Sequence, residues 1–243
     1  MSIIDIHSHI IPGIDDGSQS PEMSLRMLSL ACADGVSGIV ATSHSGRDPL
    51  SAGMICDGIL RGVSRLRRSA REKGLKIDIY PGMELFANDF LEDILIDGTF
   101  ITINGSRFLL TEFDFFESRE FIDRSLITIL DSGLCPVIAH PERYAVSTPA
   151  ALERWLDLGC VIQINAGSVT GMFGESAKEK SVLFLREGLV HVAASDAHSD
   201  KIRNTAIKEP AAAIKELCGA ETARLLFESN PSALISNKRP RLS

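Results

Sequence analysis

The stretch Ile3-Ile4-Asp5-Ile6-His7-Ser8-His9 joins a short apolar run to two histidines that stand two residues apart. Residues 3–6 predict a buried β-strand, because short runs of β-branched and apolar residues are typical of strands covered on both faces. In an extended chain, side chains two positions apart point the same way. We therefore expect His7 and His9 to leave the end of this strand together and to reach one metal ion.

The same unit recurs along the chain, with apolar runs separated by helical patterns. Strands are predicted at residues 3–6, 36–41, 77–80, 107–111, 136–139, 161–164 and 189–193. Helices are predicted at residues 21–34, 54–73, 117–132, 149–158, 175–186 and 205–217. A hairpin-like element is expected near residues 99–103, with its turn at Asn104-Gly105. This β-then-α alternation predicts an α/β fold with a parallel sheet, closed as a distorted seven-stranded (β/α)7 TIM-like barrel.

Length and composition restrict the domain organisation and the possible partners of the protein. A chain of 243 residues suits one barrel, so we expect a single domain over residues 1–235 and a frayed basic tail over 236–243.

The net charge of −7 disfavours nucleic acid as a partner. Five scattered cysteines argue against a disulfide framework. The absence of a leader or a long apolar run predicts a cytoplasmic protein that is not itself a membrane protein. The arginines between residues 61 and 71 are expected on the solvated face of a helix.

Polar residues cluster where each predicted strand ends, which is where βα barrels carry their catalytic groups. Five of the six histidines and several carboxylates fall there. Imidazole and carboxylate together suit Mn²⁺, Fe²⁺ and Zn²⁺. Nine ligands exceed what one ion takes, so two or three ions are expected. The predicted ligands are His7, His9, Asp16, His44, Glu84, Glu112, His140, Asp196 and His198.

Three polar residues near these positions have competing interpretations. Asp15-Asp16-Gly17 is also a turn sequence, so one of the two aspartates serves to shape the loop, and we favour Asp16 as the ligand. Asn165 either lines the pocket or closes a turn with Gly167. His191 lies inside a predicted strand and is interpreted as a packed or hydrogen-bonded structural histidine.

The motifs resemble the PHP (polymerase and histidinol phosphatase) superfamily and, more narrowly, the CpsB/YwqE-type bacterial manganese-dependent protein-tyrosine phosphatases. The resemblance runs from about Ile3 to Pro231. It is carried by Asp5-Ile6-His7-Ser8-His9, Ala41-Thr42-Ser43-His44, Pro81-Gly82-Met83-Glu84, Ala139-His140-Pro141-Glu142-Arg143-Tyr144 and Ser195-Asp196-Ala197-His198. One departure is that relatives often have a second histidine where Ser45 follows His44.

The resemblance implies a PHP-type barrel holding three metal ions, most often manganese, with iron or zinc as alternatives. It places His7, His9, Glu84 and Asp196 around the first ion. Glu84 bridges to a second ion held by Glu112 and His140, while Asp16, His44 and His198 hold the third. The implied substrate is phosphotyrosine on a bacterial tyrosine kinase of capsular or exopolysaccharide biosynthesis.

The expected reaction is hydrolysis of a phosphomonoester by attack of a metal-bridging hydroxide on phosphorus. Arg143 and Arg203 are predicted to bind the phosphate, because the planar guanidinium matches its oxygens. Arg47 is a weaker candidate for the same role, and His44 is a candidate proton donor. The leaving tyrosinate needs little acid help, since the pKa of phenol is about 10.

Three alternatives remain open at this point. Cys218 and Arg224 have the C-x5-R spacing of cysteine-dependent phosphatases, but only Gly219 is suited to a phosphate cradle and Glu221 would repel the substrate. A histidinol-phosphatase-like activity would use the same metal site. A non-catalytic, metal-binding module that docks a kinase would bind without turnover.

Overall fold

Parallel strands form the centre of the computed structural model, which describes residues 2–242 apart from the side chains of residues 49 and 50. Strand β1 (Ile3–Ser8) is almost wholly buried, as its apolar sequence predicts. The later strands are β2 (Val36–Ala41), β3 (Asp78–Pro81), β4 (Glu84–Phe86), β5 (Phe108–Glu112), β6 (Cys135–Ala139), β7 (Val161–Asn165) and β8 (Val192–Ala194). The predicted α/β fold with parallel strand pairing is confirmed.

Helices connect the strands and carry the expected start signals. The Ser20 side chain accepts a hydrogen bond from the Met23 backbone N–H, and Pro21 follows at the first helical position. The helices are α1 (Pro21–Ala33), α2 (Pro49–Glu72), α3 (Leu91–Asp97), α4 (Arg119–Asp131), α5 (Pro149–Asp157), α6 (Ala166–Val169), α7 (Glu175–Arg186), α8 (Lys208–Cys218), α9 (Ala220–Arg224) and α10 (Asn230–Ile235). Within residues 2–242, no helix is both long and apolar enough to cross a membrane.

The strands form two sheets, with the orders β1-β2-β3 and β4-β5-β6-β7-β8. Single bridges join the sheets at two places, which we call the seams: Ser8 to Ala197 and His44 to Glu84. At the first seam, the His9 N–H donates to the Ala197 carbonyl oxygen at 2.8 Å. The hydrogen bonding thus yields eight strands in two sheets where the sequence predicted seven in one.

The extra strand, β4, follows the third predicted strand (residues 77–80) after a short break. β3 ends at Pro81 and β4 starts at Glu84, so only Gly82 and Met83 separate them. A Cβ on Gly82 would lie 2.7 Å from Val40 Cγ1, so only glycine lets the chain pass this close to β2. After the break the chain pairs with β5 instead of β2.

Two local predictions differ from the structure. No strand forms at residues 99–103, and a 3₁₀ turn (Ile103–Gly105) takes the place of the hairpin, with Asn104 at φ 50°. The described part of the C-terminal tail is anchored rather than frayed. The Asn230 side chain exchanges two hydrogen bonds with the Arg241 backbone, and Asn237 Oδ1 accepts one from the Arg107 N–H. Ser243 lies outside the described residues.

Buried Trp155 and Phe184 belong to the largest of three hydrophobic clusters that the described residues form around the sheets. Several other features agree with the expectations from the sequence. The arginines of α2 are exposed, namely Arg61, Arg65, Arg67, Arg68 and Arg71. All five cysteines are free. His191 is buried and its Nδ1 accepts a hydrogen bond from the Ile162 N–H at 3.1 Å, so it is a structural histidine.

Candidate metal centre

The strand ends and the loops beside them bring all nine predicted ligands into overlapping groups, and within each group the ligand atoms lie within 4.8 Å of one another. These ligands are far apart in the sequence, since His7 is the penultimate residue of β1 and Glu84 is the first residue of β4. The four groups are His7, His9 and Asp196; His7, Glu84 and His140; His44, Glu84 and Glu112; and His9, Asp16, His44 and His198.

Four buried atoms converge at the deepest point of the cluster. His7 Nε2 and His9 Nε2 are 3.3 Å apart, and Glu84 Oε2 is 3.2 Å from each of them. Asp196 Oδ1 lies 3.4 and 3.5 Å from the same two nitrogens. Around an ion about 2.0 to 2.1 Å from four tetrahedral ligands, the ligand atoms lie about 3.3 to 3.4 Å apart. The four atoms therefore have the mutual spacing of a metal coordination shell.

Glu84 stands between this group and a second one. Its Oε1 is 3.0 Å from His140 Nε2, which is 3.6 Å from Glu112 Oε1. Its Oε2 is also 3.0 Å from His44 Nδ1, and that nitrogen is 3.4 Å from Glu112 Oε2. A carboxylate with its two oxygens facing different histidines has the arrangement of a bridging ligand.

A third group lies at the rim. Asp16 Oδ1 is 3.4 Å from His198 Nε2 and 3.6 Å from His44 Nε2. The Asp16 side chain is 70% exposed, so this group is the one nearest to solvent.

The chemistry of the donor set fits bound cations. Buried His140 Nδ1 has no hydrogen-bond partner among the described residues, and buried Glu84 Oε2 makes no hydrogen bond there although three imidazole nitrogens lie within 3.2 Å of it. Burial alone would raise the pKa of Glu84, yet His7 and His140 hold that pKa well below its usual value. Burial likewise opposes protonation of His7, but Glu84 and Asp196 raise its pKa to about 9. In the metal-free protein, protons on imidazoles therefore supply the positive charge that the buried carboxylates need, and divalent cations would replace them.

Asp15 supports the cluster from outside it. Its Oδ2 lies 2.7 Å from His9 Nδ1 and accepts from the His44 N–H at 3.0 Å. Although burial opposes ionisation, these contacts hold the pKa of Asp15 below its usual value. Gly17 makes the turn possible, since a Cβ there would lie 2.3 Å from His9 Cβ. The structure thus separates the two aspartates: Asp16 faces His44 and His198, whereas Asp15 orients His9.

A chain of two side-chain amides orients His7, and the first of them, Gln163, was not among the predicted site residues. Gln163 Oε1 lies 3.0 Å from His7 Nδ1, and Gln163 Nε2 donates to Asn165 Oδ1 at 3.1 Å. Asn165 Nδ2 donates to Asp196 Oδ2 at 2.6 Å, so Asn165 lines the pocket. The period of two along β7 puts both amides on one face, and that signal predicts Gln163 once Asn165 is suspected.

Two proposed ligands have unusual backbone conformations. His140 has φ 34° and Asp196 has φ 51°, a left-handed region that residues other than glycine seldom occupy. Asp5 supports the second of these turns, because its carboxylate accepts hydrogen bonds from the Ser195 N–H and hydroxyl. Such conformations persist where the surrounding structure imposes them, and they concentrate at functional sites.

Arg143 and Arg203 also reach the cluster. Arg203 Nη2 is 2.7 Å and Arg143 Nη1 is 3.5 Å from Asp196 Oδ2. The Arg203 side chain is 30% exposed and the Arg143 side chain is 21% exposed, so an incoming anion has access to both. Arg47 instead packs over the ring of Phe86, with its Cζ 4.2 Å from the ring centroid.

The C-x5-R segment does not form a phosphate cradle. Arg224 is paired with Glu221 through two hydrogen bonds of 2.6 and 3.0 Å. Burial raises the pKa of the Cys218 thiol, whereas a nucleophilic cysteine needs a lowered one. The geometry therefore argues against cysteine-dependent chemistry.

Comparison with known proteins gives consistent matches over the whole chain. A family model described as "Capsular polysaccharide synthesis, CpsB/CapC" matches residues 3–236. Tyrosine-protein phosphatase CpsB of Streptococcus pneumoniae is 34% identical over 244 residues, covering 97% of this chain and 99% of the relative. Tyrosine-protein phosphatase YwqE of Bacillus subtilis is 29% identical over 238 residues, covering 97% and 92%.

Solved structures agree. One of them is described as crystal structures of YwqE from Bacillus subtilis and CpsB from Streptococcus pneumoniae, unique metal-dependent tyrosine phosphatases. It has a TM-score of 0.89 and 27% sequence identity to this chain, and the match covers 99% of this chain and 97% of the other. The lactonase Lmo2620 from Listeria monocytogenes has a TM-score of 0.67 at 13% identity, covers 98% of this chain and 95% of the other, and shares the fold alone.

Proposed function

Because the chain belongs to the CpsB/CapC family of capsular polysaccharide synthesis proteins, we propose that it is a metal-dependent protein-tyrosine phosphatase. Its named relatives carry that activity in their names. The observation that carries the proposal is the convergence of His7, His9, Glu84 and Asp196 at metal-ligand spacing.

The proposed cofactor is a group of three divalent ions, with manganese favoured and iron or zinc accepted by the same donors. Glu84 and Asp196 would hold the first ion with His7 and His9, and Glu84 would bridge to the second. Glu112 and His140 complete the second site, and Asp16, His44 and His198 the third. Bound divalent ions activate water and offset the negative charge of phosphate oxygens.

Phosphate binding and departure of the leaving group involve other side chains of the protein. Arg143 and Arg203 are proposed to bind the phosphoryl oxygens, since their partly exposed guanidiniums lie beside Asp196. Both ring nitrogens of His44 face carboxylates, at 3.0 Å from Glu84 and 3.6 Å from Asp16, which favours a ligand role over that of proton donor. Tyrosinate leaves without a strong acid, because the pKa of phenol is about 10.

The proposed substrate is phosphotyrosine on a bacterial tyrosine kinase of capsular or exopolysaccharide biosynthesis. The family description supports the pathway, and the named relatives support the phosphotyrosine. A histidinol-phosphatase-like activity on the same site is the alternative, and a docking module without turnover is a weaker one.

We also propose that the two sheets are the wall of a distorted PHP-type barrel. Two observations support counting β3 and β4 as one interrupted strand of this barrel: the parallel bridges at both seams and the short break between β3 and β4. Residues 1–235 are proposed as the single domain of this barrel.

The test is phosphate release from a phosphotyrosine peptide by chelator-stripped protein, with and without added Mn²⁺. We expect release only with Mn²⁺, and the same rate for Cys218→Ser as for the wild type. Release that survives stripping and disappears in Cys218→Ser would overturn the metal mechanism. A larger kcat/KM for histidinol phosphate than for the peptide would transfer the proposal to the small-molecule reaction.

A further inference from the structure

Arg143 and Arg203 share an aromatic neighbour. The Phe173 ring centroid lies 5.2 Å from Arg143 Cζ and 5.3 Å from Arg203 Cζ. Arg143 Cζ is also 4.2 Å from the Phe115 centroid, so its guanidinium is close to two rings. Phe115 meets the ring of His140 edge-on, with centroids 6.2 Å apart. The two arginines are thus held by an aromatic surface that continues to the metal cluster.

The Phe173 ring attracts both guanidiniums in addition to the Asp196 carboxylate. Both guanidiniums approach Asp196 Oδ2, at 2.7 and 3.5 Å, and two like charges this close repel each other. Asp196 Oδ1 faces His7 and His9, so the same carboxylate also belongs to the proposed metal site. A ring face attracts a cation without competing for its N–H donors. A stacked guanidinium therefore keeps its in-plane donors available for phosphate.

Phe173 lies in a short loop that packs closely against α6. It lies between Gly171 at φ 87° and Gly174 at φ 93°, both conformations suited to glycine. A Cβ on Gly167 would lie 2.9 Å from Met172 Sδ and 3.3 Å from Phe173 Cε2, so the absence of that side chain lets the loop pack closely. Phe173 is half-buried and is not a member of the three hydrophobic clusters, so core packing does not explain it.

We propose that Phe173 is a positioning residue that holds the guanidiniums of Arg143 and Arg203 in the orientation that binds a phosphoryl group. The inference rests on the proposed role of the two arginines in phosphate binding. It assigns to the loop between α6 and α7 a part in phosphate recognition, although that loop carries no ligand candidate and no charge near the cluster.

The experiment compares Phe173→Leu, which removes the ring and keeps an apolar side chain, with Phe173→Tyr, which retains the ring. Phe116→Leu is the matched control, because Phe116 is 86% exposed on a neighbouring loop. Each Mn²⁺-loaded protein is titrated with inorganic phosphate by calorimetry. KM and kcat are measured for a phosphotyrosine peptide, and the melting temperature is recorded.

For Phe173→Leu, we expect phosphate affinity to fall about tenfold and KM to rise in proportion, while kcat and the melting temperature change little. Phe173→Tyr and Phe116→Leu should match the wild type. Unchanged phosphate affinity in Phe173→Leu would overturn the proposal, and so would equal losses in the Leu and Tyr variants. If the wild type binds phosphate but leaves the peptide intact, the tyrosine phosphatase proposal fails, while the phosphate titration still decides the role of Phe173.

Discussion

Asp15 and Asp16 are neighbours in the sequence and contact different atoms of the cluster. Asp16 faces His44 and His198 at the rim, while Asp15 lies beneath His9 and contacts its Nδ1. A carboxylate on the far nitrogen of a metal-binding imidazole fixes the ring and increases its basicity. The pair shows how one turn can supply both a candidate ligand and the group that orients another.

Asp15→Asn should lower the Mn²⁺ affinity of the protein by about tenfold to a hundredfold, because it removes the charge behind His9. Calorimetric titration of the stripped protein with Mn²⁺ measures the change. Asp97→Asn, at the exposed end of α3, is the control and should bind Mn²⁺ like the wild type. Wild-type affinity in Asp15→Asn would mean that His9 needs no such support.

His191 makes stability depend on pH at a site away from the cluster. Burial, with a smaller contribution from Arg239, lowers its pKa to about 4 from the usual value of 6.5. Its Nδ1 must stay unprotonated to accept from the Ile162 N–H. Because the folded pKa is below the unfolded one, the unfolded chain binds the proton more readily between these values. The stabilisation is present above pH 6.5 and is lost as the pH falls to about 4.

His191→Asn keeps an acceptor for the Ile162 N–H and removes the titration. Urea unfolding at pH 7.5 and pH 5 should show that the wild type loses about 2 kcal/mol more than the variant across this interval. Stripped protein is used for both, so that the site histidines contribute equally. Parallel losses in the two proteins would contradict the assignment.

At the scale of elements, Tyr144 links β5, which ends at Glu112, to β6, which His140 follows directly. Its hydroxyl donates to the Ala139 carbonyl oxygen at 2.6 Å and accepts from the Phe113 N–H at 3.2 Å. Each contact is directly adjacent to a proposed ligand. The 3₁₀ turn Pro141–Arg143 that follows β6 brings the tyrosine back to this position.

Tyr144→Phe should lower the free energy of unfolding by about 1 to 3 kcal/mol, because it leaves the buried Phe113 N–H without a partner. It should also lower the turnover of the phosphotyrosine peptide by displacing Glu112 and His140. Tyr80→Phe is the matched control, since Tyr80 is half-buried in β3 and should change little. A small effect of equal size in both variants would show that the link is unimportant.

The elements that the sequence predicted well are those with a long, clean pattern. The apolar runs of β1, β2 and β6 are bounded as expected within about two residues, and Ser20 begins α1. The break between β3 and β4 depends on how closely Gly82 approaches Val40, which no local pattern encodes. The anchored tail depends on Asn230 meeting Arg241, a contact made only after folding.

The candidate site was predictable for a related reason. Ligands at strand ends stand out because histidine is rare elsewhere in the chain, and each motif lies directly after an apolar run. Gln163, Asp15 and Phe173 were harder to predict, because each acts through another residue. The contacts of Gln163 with His7 and of Phe173 with the two arginines join residues far apart in the sequence, and the Asp-Asp-Gly turn sequence does not tell which aspartate contacts His9.

At the scale of the whole molecule, the cluster connects residues from both sheets. Added Mn²⁺ should therefore stabilise the fold by about 2.7 kcal/mol at a hundredfold excess over its Kd, and raise the melting temperature by about 5 to 10 °C. Scanning calorimetry of stripped and reloaded protein measures this shift. Glu84→Gln should lose most of it, whereas Glu92→Gln, exposed on α3, should keep it. A full shift in Glu84→Gln would place the bound ions elsewhere.

The seams have a consequence for the exchange of backbone amide hydrogens with solvent. The N–H groups of His9 and Asp196 donate across the seam between β1 and β8, at 2.8 and 2.9 Å. Those of Ser45 and Glu84 donate across the other seam, at 2.9 and 3.2 Å. Each seam has few hydrogen bonds of its own, so it should open more often than the sheets it joins. Deuterium uptake at these four amides should therefore slow when the ions bind, and would report metal occupancy without any substrate.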